Sequence, residues 1–477
     1  MTIDKFLEIE SKYNLCQKEI EDVNYWVYER FWLWNYKICA SSLNLMPSQS
    51  IAKQGICDWL ITLGTLMKNS IFRGKISDKK YEVCFIAHER RKKVGNYYEC
   101  IYTEELSKYF ENQITLEEPF ELKHFKPVAN KALYYTDYVL MIGELYSLVN
   151  IRLRTKVYKK IYNQVKSEIC NPIKEIIEEY KVNINPEEIY RLFARRILIV
   201  KICRKKYEQL LLKIHPKVIV EVVHYNAQNM MINEVADKYG IKTIELQHGT
   251  MHDEHLAYQY SINEKLKQLP YKIFTFSEYW NHIIHLPQQS TKVIATGFPY
   301  FEKQVKKITK NENNKIKNIL FLSQGTIGGY LFKLAEELNA LINKDQYHIV
   351  YKLHPAEYSD WKERYGIQDD SLIEVIDNAN INLYELFAQS SIQVGVYSTA
   401  VYEGIGFGLQ TYIYNIGHAN TMKSLVDEGM ATFVNSAQEL FECIRNCTQL
   451  KKDYGLFWKK NALKNIIELL EAELAID

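Results

Sequence analysis

Tyr347-His-Ile-Val-Tyr-Lys-Leu-His-Pro355 is the stretch whose reading decides the fold. Ile349, Tyr351 and Leu353 alternate, with β-branched Val350 among them, and this is the pattern of a buried strand. Proline disfavours the helical region for the residue before it, so His354 is expected in extended backbone at the strand's carboxyl end. In open α/β sheets ligands bind along that edge. An imidazole there, close behind Lys352, can meet an anionic leaving group. The alternative is an ordinary surface histidine beside a turn proline.

Outward from this strand the same grammar repeats. On the N-terminal side Asn318 to Leu322 reads as a strand that runs into Ser323-Gln-Gly-Thr326, Gly328-Gly329 and a helix from about Tyr330 to Asn343. On the C-terminal side Leu372 to Ile376, Ile392 to Val396 and Thr411 to Tyr414 read as strands, with helices near Leu383 to Gln389, Ala437 to Cys447 and Gly455 to Leu474. Between Lys303 and Asn318 the composition shifts to Lys, Asn and Glu, which marks a linker. Before it lies a second alternating set: strands over Tyr81 to His88, Tyr135 to Ile142, Lys217 to Val223, Ile241 to Leu246, Tyr271 to Phe276 and Lys292 to Thr296. The helices expected with them are Asn229 to Tyr239, stopped by Gly240, and long basic helices across Leu148 to Leu212. Arg90-Arg-Lys-Lys93 and Gly95 read as a basic turn, either solvated or attractive to a charged acceptor.

Strands alternating with helices on this scale predict an α/β chain of two doubly wound, Rossmann-like halves with parallel sheets facing across a cleft. The division expected is a helical N-terminal extension over 1–80, an acceptor domain over 81–305, a donor domain over 318–450, and a last helix over 451–477 returning to the first domain. In the extension Tyr25, Trp26, Tyr28, Phe31, Trp32 and Trp34 crowd together. They read as an aromatic helix packed on the main domain, with an interfacial membrane anchor as the other reading.

The bulk numbers narrow the function. A length of 477 residues exceeds one compact core. A formal charge of +2 argues against a nucleic-acid binder acting through global charge. Nine scattered cysteines without a C-x-x-C pair suggest neither a zinc ribbon nor a disulfide framework, and fit a reducing cytosol. The opening Met1-Thr-Ile-Asp-Lys-Phe lacks signal-peptide character, and no apolar run reaches the ~18 residues of a membrane span.

Three loops of the second half are expected to meet on one rim. Ser323, Gln324, Gly325 and Thr326 form a glycine-containing strand-to-helix turn suited to bringing N–H groups close to phosphate, although it is neither a Walker loop nor G-x-G-x-x-G. Ser398 and Thr399 open a helix, where hydroxyls and free N–H groups point the same way; simple capping is the alternative. Glu403 lies one turn on, where a carboxylate can bind ribose hydroxyls. With Lys352 and His354 these loops make a nucleotide phosphate site that needs no metal and no other cofactor. The first half contributes Gln247-His-Gly-Thr-Met-His-Asp-Glu-His255. Gly249 argues against one helix presenting His248, His252 and His255 to a metal, so His248 is expected at a strand tip as general base, with Asp253 and Glu254 as rivals.

Lys-x-His-Pro at 352–355 and Ser-Thr with a Glu at 398–403, set in two such halves, resemble GT-B glycosyltransferases of bacterial surface polysaccharide synthesis. The nearest groups are His-Pro-motif sialyltransferases and polysialyltransferases, capsule Kdo transferases and teichoic-acid glycerophosphotransferases. Gln247-His-Gly-Thr250 is similar to the His-Gly-Thr of the last group, whose histidine is a proposed base; no Asp/Glu-Asp/Glu-Gly motif of the sialyltransferases is present. The resemblance implies that His354 contacts the donor phosphate, that Ser398 and Thr399 hold the nucleotide phosphate, and that the base comes from the first domain. It implies transfer of a sugar, Kdo or sialic acid from a CMP donor among the options, to a glycan or lipid-linked acceptor in capsule synthesis. The implied location is the cytoplasm, with peripheral association at the inner face of the plasma membrane if the aromatic stretch faces lipid. Three alternatives stay open: a CDP-glycerol-type polyol-phosphate transferase, a UDP-sugar 2-epimerase, and a non-catalytic polysaccharide assembly protein.

Overall fold

The structure is a computed structural model. It describes residues 2–39, 56–76, 80–120, 122–127, 132–287, 289–308, 316–325, 327–366, 373–378, 381–446 and 455–475. Two parallel sheets carry it. The first comprises β1 (Val83–Ile86), β4 (Gln113–Glu117), β5 (Leu133–Tyr135), β6 (Val218–Val222), β7 (Lys242–Leu246), β8 (Lys272–Thr275) and β9 (Lys292–Ala295), in the order β5-β4-β1-β6-β7-β8-β9. The second comprises β10 (Lys317–Leu322), β11 (Tyr347–Lys352), β12 (Glu374–Ile376), β13 (Ser390–Gly395), β14 (Gln410–Tyr414) and β15 (Ala431–Val434), in the order β12-β11-β10-β13-β14-β15. The chain is thus α/β with two doubly wound sheets, the GT-B layout that the resemblance implies.

Because side chains of a strand alternate between faces, each strand of the first sheet feeds two cores. Cys84, Ile86, Ile114, Leu116 and Ile219 pack with the N-terminal extension, where Phe6, Tyr25, Trp26 and Trp34 are buried. Val83, Phe85, Val218, Val220 and Val222 face the other way, into a core that runs on into the second sheet through Phe298, Phe301 and Trp458. Tyr25, Trp26, Tyr28 and Trp34 of the aromatic crowd are therefore interior, packed as expected on the main domain, while Phe31 and Trp32 are half-buried. The buried Arg30 secures the same region: it pairs with Glu10 at 2.6 Å and donates to the carbonyls of Leu256 and Gln259 at 2.6 and 2.9 Å.

Two expectations from the sequence are corrected. Tyr135 to Ile142 is not a strand: β5 ends at Tyr135 and Asp137–Arg152 is a helix. A short, continuously apolar run does not reveal its period, and here it lies against the helix Pro186–Ile214, with Gly143 so close that a Cβ would sit 2.4 Å from Cys203 Sγ. The basic turn after β1 is a hairpin, β2 (Arg91–Val94) paired antiparallel with β3 (Tyr97–Cys100). Gly95-Asn96 makes its two-residue loop, and Gly95 takes the positive φ of 60° that such turns require. The linker lies in part outside the described residues; the helix Pro299–Lys307 reaches into its start. The helix Ala462–Leu474 lies against the first sheet's domain, where Glu473 pairs with Lys242 at 2.9 Å and also meets Lys272. Among the described residues no helix is long and apolar enough to cross a membrane.

Candidate functional site

In each sheet the strand order reverses beside its first strand, at β1/β6 and at β10/β13. Ligands of open α/β sheets bind at such switch points, outside the carboxyl ends of the strands. The loops that follow β10, β11 and β13 are joined there. Gln324 Oε1 accepts from the Tyr397 N–H at 3.1 Å, tying the first loop to the third. A Cβ on Gly325 would meet only Glu357 Cγ, at 4.0 Å, so the glycine loop lies open beside the second.

His354 is fixed by its own turn. Its backbone N–H donates to Glu357 Oε2 at 2.8 Å, and its Nδ1 accepts from the Ala356 N–H at 3.2 Å. Nδ1 is thereby the unprotonated nitrogen, so in the neutral ring the proton sits on Nε2 as a donor. Burial lowers the ring's pKa, and Arg90 and Lys352 lower it further, against an opposing pull from Glu357. Glu357 itself is fully buried and also takes a bond from Tyr365 OH. Ser398 caps the helix Thr399–Gly406, accepting from the Ala400 N–H at 3.2 Å. Thr399 Oγ1 accepts across the cleft from the Thr250 N–H at 3.1 Å. Each hydroxyl accepts one bond and keeps its own proton to donate.

Three expected ligands are engaged otherwise. Lys352 Nζ donates to Tyr358 OH at 2.6 Å and to the Asn378 carbonyl at 2.8 Å, and burial pushes its pKa down to about 8. The Ser323 hydroxyl points inward to Tyr351 and Tyr365, at 3.2 and 3.1 Å. Glu403 is buried beneath the rim: Tyr384 OH donates to its Oε1 at 3.2 Å, and Arg90 of the opposite domain approaches the same oxygen at 3.7 Å. Burial raises the Glu403 pKa, opposed by Arg90 and Tyr384, and its Oε2 has no partner. Thr326 lies outside the described residues.

The facing rim belongs to the first sheet. His248 follows β7; its Nε2 lies 3.1 Å from Tyr225 OH, its carbonyl accepts from Tyr102 OH at 2.6 Å, and its Nδ1 is buried without a partner. Burial drives its pKa down to about 4. His252 and His255 join an aromatic cluster with Phe31, Tyr225 and Tyr258. Among the described residues no group of three or more His, Cys, Asp or Glu side chains can hold a metal ion. Asp253 is exposed, while Glu254 is half-buried; that burial raises its pKa, opposed by a hydrogen bond from Asn420 of the second domain.

Sequence reasoning missed three features. The Arg90–Glu403 contact joins residues too far apart in sequence for any local pattern. Glu357 carries a readable signal, a carboxylate three residues after a capping position. The third is a cavity of about 290 Å³ at the β1/β6 switch point, lined in part by His88, Glu89, Glu118, Val223 and Asn229. Its signal is Glu118-Pro119, a titratable residue before proline at a strand's end, the same pattern as His354-Pro355.

No protein-family model and no curated protein matches the chain. Solved structures with a similar outline include MurG of Acinetobacter baumannii, at 10% identity and a TM-score of 0.47 over 82% of this chain and 99% of that one. UDP-GlcNAc 2-epimerase from Neisseria meningitidis bound to UDP-GlcNAc is 12% identical, with a TM-score of 0.45 over 83% of this chain and 100% of that one. The calicheamicin glycosyltransferase CalG4 is 8% identical, with a TM-score of 0.45 over 83% and 98%. What this chain does rests on the geometry of its own cleft.

Proposed function

We propose that this protein is a metal-independent glycosyltransferase that takes a sugar from a nucleotide donor held on the rim of β10, β11 and β13. The observation that carries the reading is the tautomer of His354, whose Nε2–H is left as a fixed donor on a rim that also presents the Ser398 and Thr399 hydroxyls. As the sugar–phosphate bond breaks, negative charge grows on the leaving nucleotide. Donors already in place stabilise that charge more in the transition state than in the ground state. Glu403, one turn into the helix and buried, supports Arg90 at the cleft from beneath the rim. A CMP donor of Kdo or sialic acid is the finer reading, and it rests on the His-Pro and Ser-Thr resemblance; so does a place in bacterial capsule synthesis at the cytoplasmic face.

Of the bases offered by the sequence, His248 is neutral but weakly basic at pH 7. A neutral imidazole of that kind orients a substrate hydroxyl better than it removes a proton. The test of the donor reading is a melting-temperature screen with CMP, UDP, GDP and CDP in the presence of EDTA. One nucleotide should raise the midpoint by the amount that mass action dictates, and His354→Ala should retain most of that shift. A flat response to all four would leave the assembly-protein alternative standing.

A further inference from the structure

From the cavity at the β1/β6 switch point we infer that the acceptor is a glycan ending in a neutral or amino sugar, and that Glu118 takes the proton of its attacking hydroxyl. The inference rests on the donor reading above and adds the other substrate and the base.

Geometry argues it first. The cavity lies where the strand order of the first sheet reverses, the counterpart of the donor rim. About 290 Å³ is at the small end of ligand pockets and suits one pyranose rather than a nucleotide sugar. The turn His88-Glu89-Arg90 joins the two sites: His88 and Glu89 line the cavity, His88 lies 6.1 Å from the His248 ring, and Arg90 reaches Glu403 in the second domain.

The walls have polar groups left over. Asn229 is fully buried, donates to the Val222 and Val223 carbonyls at 2.8 and 3.1 Å, and has no partner for its Oδ1. Arg91 Nε is likewise without a partner. Planar amide, carboxyl and guanidinium groups are suited to the adjacent hydroxyls of a sugar, which donate and accept together. Val223 holds a φ of 63°, a strained conformation for a β-branched residue of the kind that clusters at ligand sites.

Charge then selects the ligand. Arg91 is neutralised by Glu117 at 2.5 Å, and His124 bridges Glu117 and Asp137 at 2.7 and 2.8 Å. The remaining carboxylates are Glu118, opposed only by Arg196, and Glu89, whose partner at 3.2 Å is His88, a ring that burial holds neutral; an anionic sugar is therefore repelled and a neutral or amino sugar is admitted. Burial, with Asp137 and Glu89 nearby, raises the Glu118 carboxyl to about 7, where a general base works at neutral pH. Beyond the mouth, Phe120 and Phe125 stack at 6.4 Å and Tyr98 lies 5.3 Å from Phe125. Phe120 and Tyr97 are exposed, and these rings form a platform for the C–H faces of further sugar units.

In the reaction a hydroxyl oxygen of the terminal sugar bonds to the donor's anomeric carbon while the carbon–oxygen bond to phosphate breaks. The bonding pair leaves with the phosphate oxygen. The hydroxyl proton passes to the Glu118 carboxylate and from there to water.

The experiment has two arms on the full-length protein. The first reads binding on an array of oligosaccharides ending in neutral hexoses, amino sugars, uronic acids or sialic acids. Signal should be confined to the first two classes, and Phe120→Ala should weaken it at least about fivefold without changing the nucleotide-induced melting shift. A preference for acidic ends, no signal, or indifference to Phe120→Ala overturns the acceptor assignment. The second arm measures transfer from the donor of the responsive nucleotide to the bound glycan across pH. Rate should rise along a limb near pH 7, and Glu118→Gln should lose that limb and about 100-fold in turnover while nucleotide and glycan still bind. Full turnover in Glu118→Gln removes Glu118 as base. A flat nucleotide screen with a positive array would refute the donor reading and leave the glycan site intact.

Discussion

Two strands of this molecule run into a titratable residue followed by proline, and the two ends have different charged neighbours. Beyond β11, His354 has Arg90 and Lys352 as charged neighbours, and its ring is held away from protonation. Beyond β4, Glu118 has Asp137 and Glu89 as neighbours, and its carboxyl is held near half-ionisation at neutral pH. Proline sets the same extended backbone at both. Burial is the first cause of both shifts; the neighbours differ, with Glu357 opposing Arg90 and Lys352 around His354, and Arg196 opposing Asp137 and Glu89 around Glu118. The rims also differ in how far their hydrogen bonds are complete. His354, Ser398 and Gln324 have local partners, whereas the facing rim keeps His224 Nε2, His248 Nδ1, His252 Nδ1 and His255 Nδ1 buried and unpaired. Beneath the first rim Glu403 Oε2 is likewise without a partner, so the difference is one of number: several imidazole nitrogens on one side and a single carboxyl oxygen on the other.

The comparison can be broken most forcefully from below the first sheet. Arg30→Ala leaves Glu10 buried without its counter-charge and frees the loop around Leu256, so about 3–5 kcal/mol of stability should be lost in urea denaturation. Whatever fraction stays folded should still respond to nucleotide, because the other rim is untouched; loss of both responses together would show the rims to be one unit. Next in size, His354→Ala should cost about 3 kcal/mol in turnover, the scale of losing one oxyanion donor, with a smaller change in nucleotide affinity. An equal loss in both would make His354 a binding group only.

The pH dependence sharpens the rim around Glu118. His124 is raised to about 8, with its burial outweighed by hydrogen bonds to Asp137 and Glu117. A folded-state pKa above the unfolded value near 6.5 means this contribution, about 2 kcal/mol, is complete below pH 6.5 and is lost as pH rises through about 8. His124→Gln should flatten the stability profile across that window, and an unchanged slope would place the titration elsewhere. The smallest effect is expected for Ser398→Ala. Loss of the cap should cost about 1 kcal/mol and weaken nucleotide binding mildly, measured by calorimetry.

Which parts were legible follows from where the information lies. Strands β6 to β8 and β10 to β14 could be read because buried parallel strands are short apolar runs bounded by turns. β4 escaped, since Gln113-Ile-Thr-Leu-Glu117 has only two apolar side chains and its burial comes from β1 and β5 beside it. β15 escaped because Ala431-Thr-Phe-Val434 is only four residues long. His354, Ser398 and Thr399 were legible because their local sequence sets their backbone. The engagements of Lys352, Ser323 and Glu403 were not, because Tyr358, Tyr365 and Arg90 approach them from other turns or the other domain.

The return of the C-terminal helix has a mechanical consequence. The chain leaves the first domain through the helix Pro299–Lys307 and comes back before Ala462–Leu474, so the whole second domain is an insertion with two strands of attachment. Those attachments are pinned to each other: Glu302 accepts from the backbone N–H groups of Asn461 and Ala462 at 3.1 and 2.8 Å. Phe301 stacks on Trp458 at 4.1 Å beside the same pin. Two tethers fastened at one point resist twisting and sliding against each other. The two attachments of the inserted region are thus held as one point, and the Thr250–Thr399 and Tyr279–Ser424 bonds tie the same region to the first sheet elsewhere.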